Sequence, residues 1–259
     1  MNHAKAQIVG ILDQHMPARI TPDFLANLSL CDMAELRADL LPDMHSTVSI
    51  LEELRSKLPL QKWILTVRLQ VDGGKWPHEK RTERSELIKK WIATGWFYAL
   101  DIEVEETKEP YFIELRKFLE INQVKLIVSH HNFSQCYPPE SMLKHLQIMQ
   151  ELLPNGIKMA LYARSYKEAQ QLMEFVSTLD LPELSGIFAM GTAGTPSRLI
   201  SPLMGAPLTY GYLSQEAQAP GQLSAQELSA YYHTNPAISN PLEVWNHALE
   251  WLNQRAAHA

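Results

Sequence analysis

Cysteine is scarce in this chain, with only Cys31 and Cys136 among 259 residues. Two thiols cannot build the framework of a small disulfide-stapled fold, and no charged-then-apolar leader opens the sequence, so the expected setting is cytoplasmic. Long apolar runs are missing too: the segment that starts at Trp96 soon meets Asp101 and Glu103, well short of the roughly 18 apolar residues that cross a bilayer. There is no excess of basic charge. A formal net charge of -6 argues against nucleic acid or an anionic membrane as the main partner and points to a small molecule. Nor is there a low-complexity tract or a Gly/Ser/Pro-rich linker, so the economical reading is one domain over residues 1–259.

What is present is alternation. Short β-branched or apolar runs alternate with longer amphipathic stretches, the pattern of repeated βα units around a parallel sheet. Strand candidates are Gln7–Leu12, Ala34–Leu40, Trp63–Arg68, Phe97–Val104, Val124–Ser129, Ile157–Ala163, Leu184–Met190 and Pro207–Tyr212. Eight such strands are what a closed (β/α)8 barrel requires. Helix starts are marked by Thr21 before Pro22, by Ser46 ahead of a periodic run to Leu58, and by Pro138 and Pro139 ahead of Glu140. The spacing of Ala169, Leu172, Met173, Phe175 and Val176, and of Val244, Ala248, Trp251 and Leu252, predicts two helices that pack one face on the strands. Two long non-periodic stretches, Gln70 to Arg81 and Tyr212 to Gln226, each follow a strand. On a barrel that puts them at the C-terminal face, where sites are built.

Lys158 lies inside the run Ile157 to Tyr162, where burial would disfavour its ammonium form and a neutral amine would be nucleophilic. A lysine at a strand end can equally send its stem out to solvent. His130 and His131 sit where a strand is expected to leave the sheet, and alternation lets only one of them face the barrel axis. That one could move protons near neutral pH, or merely hydrogen-bond a loop. A metal site is disfavoured, because adjacent imidazoles diverge and no third ligand stands at useful spacing. Arg37, Arg68 and Arg198 recur near strand ends, where guanidinium groups suit a small carboxylate as well as they suit a salt bridge.

Taken together the residues resemble type I 3-dehydroquinate dehydratases over most of the chain. The motifs are Ala219-Pro220-Gly221-Gln222, Ile157-Lys158-Met159-Ala160, Ser197-Arg198-Leu199, Glu35-Leu36-Arg37-Ala38-Asp39 and Ser129-His130-His131-Asn132-Phe133. The resemblance implies dehydration of 3-dehydroquinate to 3-dehydroshikimate, in the shikimate or quinate pathway, with no metal or organic cofactor. In that scheme Lys158 forms an imine with the ketone, and His131 removes the neighbouring proton and then protonates the departing hydroxyl in a syn elimination. Arg198 clamps the substrate carboxylate, Glu35, Arg37 and Arg68 meet the ring hydroxyls, Gln222 reaches in from a closing loop, and Met190 and Tyr210 form walls. A homodimer is also implied.

Four departures from the family pattern stand out. Asp72 replaces a glutamate that helps orient the histidine, and Asn132 replaces an aspartate. Gln218 replaces a serine in a loop one residue longer, and Gly10 replaces a serine in the first strand. All four are expected on the substrate-contacting side. They keep open another imine-forming lyase or aldolase for a related hydroxylated keto acid, or a non-catalytic sensor on the same barrel.

Overall fold

The computed structural model describes residues 5–17, 19–41, 44–214, 217, 219–234 and 241–256. Its strands are β1 (Gln7–Leu12), β2 (Met33–Arg37), β3 (Lys62–Thr66), β4 (Ala99–Glu103), β5 (Lys125–Asn132), β6 (Gly156–Tyr162), β7 (Gly186–Met190) and β8 (Leu208–Tyr212). Between and after them come α1 (Pro22–Ser29), α2 (Met44–Lys57), α3 (Arg81–Ile92), α4 (Tyr111–Ile121), α5 (Pro139–Glu151), α6 (Tyr166–Val176), α7 (Thr195–Ile200), α8 (Ala225–Thr234) and α9 (Pro241–Ala256). The strands form one parallel sheet in the order β7-β6-β5-β4-β3-β2-β1-β8. Its two ends meet where Leu208 N donates to Ser185 O at 2.8 Å, which brings the sheet round into a nearly closed (β/α)8 barrel.

Strand alternation sorts the apolar residues into two cores. Val9, Ile11, Met33, Ile64, Ala99, Ile127 and Leu208 fill the barrel. Their neighbours Leu12, Leu36, Leu65, Leu100, Val128 and Leu161 face outward and pack with the helices. Helix ends follow local chemistry: the Thr21 hydroxyl accepts from Phe24 N and Pro22 opens α1, while the Ser165 hydroxyl accepts from Glu168 N to cap α6. Ala169, Leu172, Met173 and Val176 form the buried face of α6, and Val244 and Ala248 are buried on α9.

The eight expected strands are all present, with shifted limits at the end that matters. β2 stops at Arg37, because Ala38–Leu40 tightens into a 3-10 turn. β3 stops at Thr66, so Arg68 lies just beyond it. β5 runs past Ser129 to Asn132, because pairing with β6 continues through His130↔Met159, His131↔Ala160 and Asn132↔Leu161. Both histidines are therefore strand residues. The stretch from Gln70 to Arg81 folds back on itself through Gln70 N to Trp76 O (2.9 Å) and Trp76 N to Arg68 O (3.1 Å), with short 3-10 turns at Gln70–Asp72 and His78–Lys80. No helix among the described residues is long and apolar enough to cross a membrane.

Candidate active site

The inward positions of successive strands change from apolar to charged as the chain climbs toward the C-terminal face. β2 turns in Glu35 and Arg37, β3 Thr66 followed by Arg68, β4 Asp101 and Glu103, β5 Ser129 and His131, and β6 Lys158. A cavity of about 90 Å³ opens there. It is lined by Lys158, His131, Asp72, Glu35, Arg37, Arg68, Arg198, Gln222, Met190 and Tyr210, together with Phe133, Phe188 and Ala219. The other expected site residue, Gln218, lies outside the described residues.

Lys158 is 6% exposed, but burial alone does not describe it. Its Nζ donates to Glu35 Oε1 and Asp101 Oδ2, both at 2.9 Å, and sits 3.9 Å from the centroid of the Tyr210 ring. The amine expected to be dry is also ringed by charge. Asp101 Oδ2 is shared with Arg68 Nη2 at 2.8 Å, while Arg68 Nη1 reaches Glu103 at 3.2 Å and the Ser129 hydroxyl at 2.7 Å. Burial would raise the Asp101 carboxyl, but Arg68 and Lys158 hold it far below the usual carboxylate range. Burial would likewise lower Arg68, and Asp101 and Glu103 more than reverse that. Thr66 donates its hydroxyl to Glu35 at 2.8 Å. Arg37 is fixed by two bonds to Asp39, at 3.0 and 2.9 Å, and Asp39 also takes Lys75 N at 3.1 Å, tying β2 to the β3–α3 loop.

His131 and His130 diverge as alternation requires. His131 lines the cavity, stacked near the Phe133 ring with centroids 6.2 Å apart, and its Nδ1 has no hydrogen-bond partner among the described residues. Burial, then Arg68 and Lys158, lower its pKa well below that of a free imidazole, so it is neutral at neutral pH. His130 faces the helix layer, where it meets the Tyr137 hydroxyl at 3.0 Å. Asp72 is half-buried at the cavity rim, its carboxyl pushed up to about 6 by burial and then by Glu103.

Arg198 is different in kind. It is 2% exposed, lies 4.5 Å over the Phe188 ring and has no carboxylate partner among the described residues; burial lowers its pKa to about 10. The segment Ala219 to Gln222 laps over the β7 end through Gly191 N to Pro220 O at 3.1 Å. Gly221 allows this: its φ is +74°, and a Cβ there would meet Gly191 O at 2.3 Å.

A family model described as type I 3-dehydroquinase matches residues 23–238. The chain belongs to that family. With it comes the enzyme class, 3-dehydroquinate dehydratase. A protein of that name from Clostridium novyi is 30% identical over 207 residues, covering 76% of this chain and 79% of that one. Two solved structures share the fold. The 3-dehydroquinate dehydratase of Geobacillus kaustophilus has a TM-score of 0.76 at 20% identity, covering 88% of this chain and 90% of that one. The type I 3-dehydroquinate dehydratase of Clostridium difficile, solved with covalently modified comenic acid, has a TM-score of 0.75 at 24% identity, with 88% and 91% covered.

Two of the expected departures are not on the cavity side of this 3-dehydroquinase. A Cβ on Gly10 would point outward onto Cys31 Sγ at 2.8 Å, since Val9 and Ile11 are the inward residues of β1. Asn132 also faces away from the axis, donating to the Tyr137 hydroxyl at 2.7 Å and accepting from Ser134 N at 2.9 Å, so it shapes the β5–α5 loop. Asp72 does line the cavity. Sequence reasoning passed over Thr66, Asp101, Glu103 and Ser129. The signal was there, because Asp101 and Glu103 are two apart in a strand and share a face, as do Glu35 and Arg37. Among the described residues no group of three or more histidine, cysteine or carboxylate side chains is arranged to hold a metal ion.

Proposed function

We propose that this dehydratase converts 3-dehydroquinate to 3-dehydroshikimate through an imine on Lys158, with His131 moving the protons. The observation that carries the reading is the mismatch in charge pairing across one small cavity. Lys158, Arg68 and Arg37 each have a carboxylate, whereas Arg198 is buried without one among the described residues. A desolvated guanidinium with no counter-ion is costly, and a carboxylate-bearing substrate supplies what it lacks.

With the carboxylate on Arg198, the ring ketone meets Nζ. Glu35, 2.9 Å away, is in reach to take the proton that the ammonium sheds. The amine adds to the carbonyl carbon, and loss of water gives an iminium that withdraws electrons and acidifies the adjacent C–H. Neutral His131 takes that proton, and its imidazolium returns it to the hydroxyl on the next carbon, which leaves as water from the same face. Hydrolysis frees Lys158. Arg37 and Arg68 donate to ring hydroxyls in this scheme, Gln222 closes over the substrate, and Met190 and Tyr210 wall the ring. The reading extends, on the family resemblance, to a cytoplasmic homodimer serving the shikimate or quinate pathway.

Borohydride reduction in the presence of 3-dehydroquinate, followed by peptide mass analysis, tests the central step. The expected adduct is on Lys158, and Lys158→Ala abolishes it along with formation of the ultraviolet-absorbing enone. An active Lys158→Ala enzyme ends the proposal.

A further inference from the structure

Arg84 lies on α3, outside the cavity lining, yet it is completely buried. Its guanidinium is used in three directions: Nε donates to Val67 O at 2.7 Å, Nη1 to Glu106 at 3.2 Å, and Nη2 pairs with Glu103. Glu106 has a second cation in Arg81, at 2.8 Å. Glu103 has only one other among the described residues, and that is Arg68. Glu103 also accepts from Leu69 N at 3.2 Å, which fixes where the chain leaves β3. The chain of contacts then runs Arg84, Glu103, Arg68, Asp101, Lys158.

We infer that Arg84 is a positioning residue for the imine-forming lysine: by occupying Glu103 it leaves Arg68 free to share the charge of Asp101. The inference rests on the Lys158 reading above and deepens it. Arg68 divides its two terminal nitrogens between Glu103 and Asp101. If Arg84 is lost, Glu103 keeps one cationic partner and draws Arg68 toward itself. Asp101 then turns its charge on Lys158 alone, and the amine holds its proton more tightly. The groups facing Nζ are Glu35 from β2, Asp101 from β4 and the Tyr210 ring from β8. Arg68 stands behind Asp101, and His131 shares the cavity from β5. None of these is altered by the substitution itself. Removal of Glu103's charge has the opposite sign, since Arg68 then serves Asp101 alone.

The experiment is the rate of borohydride trapping with 3-dehydroquinate as a function of pH, with thermal melting as a control for folding. For Arg84→Met the midpoint of trapping moves up by about one pH unit, which is about tenfold slower trapping below that midpoint. Adding Glu103→Gln to it restores the wild-type profile, and Arg84→Lys, which keeps the charge, stays close to wild type. Glu103→Gln alone moves the midpoint down, and this variant decides the matter if Arg84→Met does not fold. A folded Arg84→Met enzyme with the wild-type profile overturns the inference, as does a deficit that Glu103→Gln leaves unrelieved or an unmoved midpoint in Glu103→Gln alone. If the wild-type enzyme is not trapped at all, it is the imine reading that fails, and the two failures are thereby distinguished.

Discussion

The two sides of the cavity differ in how fully their polar groups are paired. On the β2–β4 side, Glu35, Arg68, Asp101 and Glu103 are linked through one another, Lys158 and Arg84, and Arg37 is held by Asp39; among these described residues one buried oxygen of Asp101 lacks a hydrogen bond. Across from it, three buried atoms have no hydrogen-bond partner among the described residues: His131 Nδ1, Arg198 Nε and the Tyr210 hydroxyl. A folded protein tolerates few such groups, and those that persist call for an explanation. The saturated side is built to hold its own geometry. The unsaturated side is stable enough to persist, and in the proposed mechanism its open groups receive an anion and a proton in transit.

The comparison is broken most severely at His131. His131→Ala is expected to trap 3-dehydroquinate normally with borohydride and to turn over about 10²–10⁴-fold more slowly, since the imine survives and the proton carrier does not. Near wild-type turnover by this variant assigns the proton transfers to another group. Arg198 and Arg68 come next. Arg68→Met leaves Asp101 and Glu103 short of a cation and should cost about 3–5 kcal/mol of stability in urea. Arg198→Met removes a charge that no carboxylate pairs among the described residues, so the protein should become more stable by about 1–2 kcal/mol. Over the same change, KM should rise about 10- to 100-fold through loss of a charged bidentate contact. Equal destabilisation by both substitutions removes the distinction between the two sides.

Asp72, on the rim, sharpens the comparison through pH. Its folded pKa of about 6 lies above the ordinary 3.8, with burial and then Glu103 as causes. A carboxyl raised in this way contributes stability that is fully present below the ordinary value and lost as pH rises through about 6. Asp72→Asn should therefore gain about 1–2 kcal/mol over wild type at pH 7, after allowance for solvent screening, and nothing near pH 4. Melting curves at the two pH values check this. A gain of the same size at both means that the carboxyl is not strained by its neighbours.

The barrel was legible in the sequence because its signal is local and repeated. Alternating apolar runs fixed all eight strands to within a few residues, and Thr21, Pro22 and the Pro138–Pro139 pair marked helix starts. The errors lie at strand ends, where backbone pairing decides: whether β5 stops at Ser129 or continues to Asn132 depends on β6, which no local pattern reveals. The lysine, the histidine and the arginines were visible as polar residues out of place. Asp101 and Glu103 were seen only as interruptions of an apolar segment, although their spacing of two gives them a common face. Gly10 and Asn132 were assigned to the wrong face, although counting from Ile11 and His131 turns both outward. Arg84 had no such signal, for in a helix rich in charge nothing local shows which arginine is swallowed by the fold.

The smallest expected effect is at Tyr210, where the ring and the hydroxyl can be separated. The ring covers Lys158 Nζ at 3.9 Å, and Tyr210→Phe keeps it. The hydroxyl is buried and unbonded among the described residues, and burial, then Glu35 and Asp101, hold its pKa well above 10, so it is a neutral donor without an acceptor. Removing an unpaired buried hydroxyl is neutral or stabilising by up to about 1 kcal/mol, and turnover should stay within about twofold. The ring substitution Tyr210→Leu, by contrast, takes the cation–π cover off the amine, worth about 1–2 kcal/mol at a desolvated site, and should shift the borohydride trapping profile. If Tyr210→Phe proves as damaging as Tyr210→Leu, the hydroxyl is engaged once substrate is bound, and the unsaturated side holds three functional atoms rather than two.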